Sequence, residues 1–144
     1  MRFTILMAVL SMLLLGCNEQ QCLCTLNFVS IRVTVLSPSG TPEAGVNVQT
    51  TLLRTGEKLD VNTAESGGVY TVLDDGFAKM LDFRGDRLGV VGVKSDLSFT
   101  AEFVARPDGA CRCHIEKVSG PESVMLAQQP NSALHAPGAG SGQR

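Results

Sequence analysis

The chain predicts an all-β fold, an antiparallel β-sandwich of seven to eight short strands, and three observations carry that expectation. Apolar and polar residues alternate with period two in short runs. Clusters of Gly, Pro, Asp and Ser separate those runs. Beyond the first sixteen residues no convincing long helical period appears, which disfavours an α/β arrangement. At 144 residues the chain suits one domain with a usable core.

Residues 29–35, VSIRVTV, alternate strictly, with Val29, Ile31, Val33 and Val35 on one face and Ser30, Arg32 and Thr34 on the other. That is a half-buried strand with one wet face. SPSGTPEAG, residues 37–45, contains two prolines and two glycines, so the chain reverses there. Residues 46–54 form a second expected strand, with Val46, Val48, Thr50 and Leu52 on one side, and residues 58–63 a weaker third. ESGG (65–68) is a turn, and VYTVL (69–73) is a β-branched and aromatic run suited to a fourth strand. Asp74, Asp75 and Gly76 end it.

FAKMLDF, residues 77–83, places Phe77, Met80 and Leu81 at helical spacing, but so short a piece is unstable alone. A loop with at most one helical turn is expected. Residues 87–94 and 97–105 predict a hairpin around Ser95 and Asp96, the second arm aligning Leu97, Phe99, Ala101 and Phe103 on one face. RPDG (106–109) reads as a turn, followed by strands over 111–118 and 123–126. The final stretch, 128–144, is rich in Gly, Pro, Ala, Ser and Gln and has no apolar period. Disorder is expected there.

The N-terminus carries a different signal. MRFTILMAVLSMLLLGC has one positive charge, Arg2, and then an almost unbroken apolar run over residues 3–15. That run is too short for the roughly twenty residues of a membrane-crossing helix and matches the apolar region of an export signal. LLGC, residues 14–17, resembles the lipobox of bacterial lipoproteins. The resemblance implies cleavage after Gly16, acyl chains on Cys17, and a protein held on a membrane through that residue. Asn18 is not the aspartate typical of inner-membrane retention, so the same resemblance favours the outer membrane. The expected organisation is a signal peptide (1–16), a lipidated tether with the first CxC (17–25), a sandwich (26–127) and a tail (128–144).

Two segments carry a further resemblance. VLSPSGTPEAGVNVQ (35–49) supplies Gly40, Pro42, Gly45, Val46 and Val48, and ESGGVYTVL (65–73) supplies Gly68 and Tyr70. Together they resemble the carboxypeptidase regulatory-like, or transthyretin-like, domain, in which a Gly- and Pro-rich turn precedes a strand and a Gly-aromatic strand follows. CRCHIEKVSGPESVML (111–126) is similar to the last strands of exported bacterial members. The resemblance implies a prealbumin-like sandwich that serves as a non-catalytic accessory or binding module. Its motifs are turn chemistry, and the connection over 74–84 is longer than in commoner members.

With Cys17 assigned to lipid, Cys22, Cys24, Cys111 and Cys113 remain, as two CxC pairs. On extended strands each pair shares one face. An antiparallel ladder pairs Cys22 with Cys113 and Cys24 with Cys111; a parallel arrangement pairs Cys22 with Cys111 and Cys24 with Cys113. A bridge inside either CxC needs a tight ring. Disulfides persist in exported proteins, and they are the favoured expectation. The competing reading is an envelope redox or metal-binding accessory protein, with Cys22, Cys24, Cys111 and Cys113 or His114 as ligands, although CxC is tighter than usual zinc spacing.

Other function classes find little support. The formal net charge is −2 and charged residues make up 18% of the chain, so no basic field gathers nucleic acid. One Tyr, six Phe and no Trp provide few stacking surfaces. His114 and His135 show no triad spacing. Asp74, Asp75, Asp82 and Asp86 lack calcium-loop spacing and read as solvated turn residues. GVVGVKSD (89–96) lies in a hairpin without a following helix and is not a phosphate loop. The expected protein is therefore no enzyme and needs no cofactor. Its expected partners are the membrane, through Cys17, and another envelope protein or a surface polymer.

Overall fold

The computed structural model describes residues 22–63 and 66–128. It is an all-β sandwich of two sheets. The strands are β1 (Ser30–Leu36), β2 (Asn47–Leu52), β3 (Glu57–Leu59), β4 (Val69–Asp74), β5 (Asp86–Lys94), β6 (Leu97–Asp108), β7 (His114–Ser119), β8 (Ser123–Met125) and β9 (Ala127–Gln128), with a 3₁₀ segment (Asp75–Met80) between β4 and β5. The smaller sheet has the order β4-β1-β8 and the larger β3-β2-β5-β6-β7, with β9 also on β6. Since β5 pairs with β6 over residues 97–105, β7 and β9 share the other edge of β6.

The alternating runs decide which faces meet. Ile31, Val33 and Val35 of β1 are buried, as are Val48, Thr50 and Leu52 of β2, Leu88 and Val90 of β5, and Phe99, Phe103 and Ala105 of β6. These side chains join Tyr70, Val72 and Leu73 of β4 in one continuous core between the sheets. Burying such side chains contributes about 1.5–3 kcal/mol each. Val29, assigned by its period to the core face, is instead more than a third exposed, because it precedes the first paired residue, Ser30.

The turn chemistry of residues 37–45 and 65–68 is realised as a single contact. Gly68, at φ 84°, lies so close to the turn that a Cβ there would meet Glu43 N at 2.7 Å and Pro42 Cβ at 2.9 Å. Its carbonyl accepts from Val35 N at 2.9 Å, while Glu43 N donates to Val35 O at 2.8 Å. Tyr70 lies under the same turn, and its hydroxyl donates to Glu43 O and accepts from Val46 N, both at 2.9 Å. A buried phenol needs such partners.

Several elements depart from expectation. The third strand is only Glu57–Leu59. β4 ends at Asp74 as expected, but in place of at most one helical turn a 3₁₀ segment runs over Asp75–Met80, capped by Asp74, whose carboxylate accepts from Gly76 N. RPDG is not a turn: Arg106, Pro107 and Asp108 continue β6 and pair with β7. Pro107 is tolerated because β5 ends opposite Ala105, leaving that side of β6 without a strand partner, the position in a sheet where a missing N–H is least costly. The turn comes at 109–112, where Gly109 (φ 63°) and Arg112 (φ 51°) take left-handed backbone, so β7 starts at His114 rather than residue 111. The last expected strand, 123–126, is β8 and is followed by an unexpected β9, and β8 lies parallel to β1 in an otherwise antiparallel fold. Gln128, placed in the tail, pairs with Leu97. The signal segment 1–16, Cys17 and the tail beyond Gln128 lie outside the described residues.

Candidate functional site: a cystine strap and its hydrogen-bonded hub

The four cysteines form two bridges, Cys22–Cys111 and Cys24–Cys113, with Cα–Cα distances of 5.4 and 5.5 Å. Both span 89 positions, which is the parallel register. The extended geometry assumed for the second CxC does not exist, since Arg112 takes φ 51° between the two cysteines. That turn is anchored by Arg112. Its guanidinium stacks 4.5 Å from the Phe83 ring centroid, and Nη2 donates to Leu81 O, a cation–π contact plus a hydrogen bond.

Next to the bridges, residues from three distant segments meet around Asp75. Its Oδ2 lies 2.7 Å from His114 Nδ1 and accepts from Val29 N at 2.8 Å, and its Oδ1 accepts from Ile115 N at 2.9 Å. Asp75 N returns a bond to Val29 O at 3.2 Å. His114 Nε2 lies 2.7 Å from Thr25 Oγ1. Nδ1–H donates to the carboxylate, and Nε2 and the Thr25 hydroxyl share a hydrogen bond. Asp75 and His114 are thus largely buried members of a network, a correction to the solvated-turn reading of Asp75 and to the isolated reading of His114. Burial alone would raise the Asp75 carboxyl. The bonds from His114, Val29 N and Ile115 N outweigh it and hold the group below the ordinary carboxylate range.

The order Thr25–His114–Asp75 matches the donor order of a nucleophile–base–acid relay. Its carboxylate, however, is engaged by two backbone N–H groups as well as the imidazole, and the groove bordered by Phe28 and Ile115 has neither Thr25 nor His114 in its lining. The arrangement acts as a clasp: Thr25, one residue past the second cystine, is tied to the first residue of β7 and, through Asp75, to the 3₁₀ segment. No sequence spacing announces it, because positions 25, 75 and 114 meet only in the folded chain. The one local signal is His114 directly after Cys113.

A second carboxylate hub sits elsewhere. Asp86, 4% exposed, accepts from Arg54 Nε at 2.7 Å, Arg54 Nη2 at 3.0 Å and Asp82 N at 2.8 Å. The Arg54 hydrogen bond lowers its pKa against the opposing effect of burial, with help from Asp82 N. Asp86 is thus a buried, hydrogen-bonded group rather than a solvated turn residue.

Beside the clasp opens a groove of about 560 Å³, bordered by Phe28, Ile31 and Arg32 on one side and Ile115, Lys117 and Glu122 on the other. Lys117 and Glu122 form an ion pair along its second side. Among the described residues no cluster of three or more His, Cys, Asp or Glu is placed to hold a metal ion, and no helix is long and apolar enough to cross a membrane. Compared with protein families, with characterised proteins and with solved structures, the chain matches none. Fold and site together define an all-β sandwich in which the segment before the first strand is strapped by two cystines to the turn between β6 and β7.

Proposed function

We propose that this protein is a lipid-anchored lipoprotein of the bacterial cell envelope, on the outer membrane, whose sandwich is a non-catalytic binding, adhesion or structural module. The observation that carries the reading is the strap. Cys22 follows Cys17 by five residues and is bonded to Cys111, so acyl chains on Cys17 would connect to the folded domain through a tether of four residues. The lipobox-like LLGC and the apolar run before it support the anchor. The transthyretin-like turn motifs support an accessory role for the sandwich, with another envelope protein or a surface polymer as partner.

The state of the cysteines stands against the metal-binding alternative. All four are paired as cystines, which offer no thiolate to a metal. Thiol titration of purified protein should therefore find none of these four before reduction and all four after it. For the anchor, intact mass and cell fractionation of wild type and Cys17→Ser decide: the wild type should carry acyl mass and sediment with membranes, and the variant should do neither. Identical mass and fractionation would refute the proposal. Crosslinking in intact cells then captures the partner.

A further inference from the structure

We infer that residues 23–28 form a lipid-contacting edge, with Leu23, Leu26 and Phe28 entering the bilayer interface beside the anchor. The inference rests on the proposed lipid at Cys17 and adds a surface to it. These three side chains are 89%, 103% and 73% exposed. They cannot turn inward, because the backbone between them is fixed: Cys22 and Cys24 are in bridges, Thr25 bonds His114, and Val29 N bonds Asp75. The fold thus presents three large apolar groups within six residues on a rigid segment, where scattered single exposures would be ordinary.

The position of the segment says what covers it. The chain outside the described residues ends at Gln21, four residues after Cys17, and its N-terminal part is the apolar run of residues 3–15. Five residues span at most about 18 Å when extended, so Cys22 stays that close to a lipid-bearing Cys17. Arg32, exposed in the groove beside Phe28, donates from Nε to Ser30 Oγ at 3.0 Å but forms no ion pair among the described residues, so its charge is offered to phosphate headgroups. Lys117 in the same groove is already paired with Glu122. Apolar groups flanked by a cation whose charge is not paired among the described residues suit an interfacial location next to acyl chains.

The chain has no tryptophan, so single tryptophans report without background. Leu26→Trp and, as control, Val91→Trp on the outer face of β5 are prepared in the full acylated chain and reconstituted into phosphatidylethanolamine/phosphatidylglycerol vesicles containing brominated lipid. Quenching of Leu26→Trp should exceed that of Val91→Trp by about twofold or more, as interfacial insertion requires. Equal quenching in a chain of confirmed acyl mass overturns the inference and leaves the anchor standing. Emission that shifts blue with protein concentration in lipid-free buffer assigns the edge to a second copy and also overturns it. Absence of acyl mass defeats the anchor alone. The same quenching comparison on the unacylated chain with excess vesicles then tests the edge: Leu26→Trp should again exceed Val91→Trp by about twofold, and equal quenching overturns the inference.

Discussion

Thr50 on β2 donates its hydroxyl to the carbonyl of Val72 on β4 at 2.8 Å, a buried polar tie between the two sheets. The tie has a cause in the register. β1 pairs Ile31 with Leu73 and Arg32 with Thr71, so the bulge skips Val72, and the carbonyl it leaves without a β1 partner finds Thr50 in the other sheet. Thr50→Val keeps the shape and removes the donor. It should cost about 1–3 kcal/mol, the penalty for an unsatisfied buried carbonyl, seen as a lower urea midpoint at unchanged slope. An unshifted midpoint would mean that the bond contributes nothing.

Asp86 sets the acid limit. Its pKa is depressed in the folded state, so its contribution is fully present above the unfolded value of about 3.9 and is lost as pH falls through the folded value. Asp75, also depressed, acts in the same direction. Urea midpoints should be flat from about pH 7 to pH 5 and fall below about pH 4. Asp86→Asn should lower stability by about 2 kcal/mol at neutral pH and reduce the acid slope. Arg54 is half exposed, so solvent screens its charge and the hydrogen bonds carry most of this effect. A variant with the full wild-type slope would remove Asp86 from the account.

Gly68 combines a left-handed φ with backbone contact at 2.7 Å. Gly68→Ala meets both difficulties at once and should destabilise by about 3 kcal/mol. Gly67→Ala, also left-handed at φ 58° but with nothing within 4 Å of the added Cβ, isolates the conformational part and should cost about 1 kcal/mol. Equal thermal shifts for the two would show that the close approach to Pro42 and Glu43 is unimportant.

The bridges should be strongly non-additive. With Cys22–Cys111 intact, Cys24–Cys113 closes only a few further residues, so Cys24→Ala/Cys113→Ala should cost about 2 kcal/mol, whereas losing both bridges frees the long loop and should cost about 5 kcal/mol or more. Additive losses in denaturant titrations would contradict this.

Much of the sandwich was legible because a half-buried strand has to alternate. Val33 and Val35, Val48 and Leu52, Phe99 and Phe103 fall where the period places them. The hairpin at Ser95 and Asp96 was legible too, as a two-residue connection between Lys94 and Leu97. What stayed hidden depends on contacts between distant residues. Pro107 looked like a turn residue, and only the ending of β5 at Asp86 makes it a strand residue. Asp75 and Asp86 looked solvated because their partners, His114 and Arg54, lie 39 and 32 positions away. The bridges were visible as cysteines, but their register turned on Arg112 leaving the extended region, which CRC does not announce.

The strap also decides how the molecule carries load. A pull on Cys17 reaches Cys22 and passes through sulfur into Cys111 and Cys113, bypassing the strands between. Those strands sit inside a covalent shunt and cannot be drawn out while the cystines last. Stretched between residue 17 and the C-terminus in optical tweezers, the oxidised chain should release about 310 Å less contour than the reduced one, the extended length of the 89 bypassed positions. Equal contours would show force running through the sheets. If Cys17 bears the proposed anchor, a tug there is carried as far as Cys113 by bonds rather than by folding.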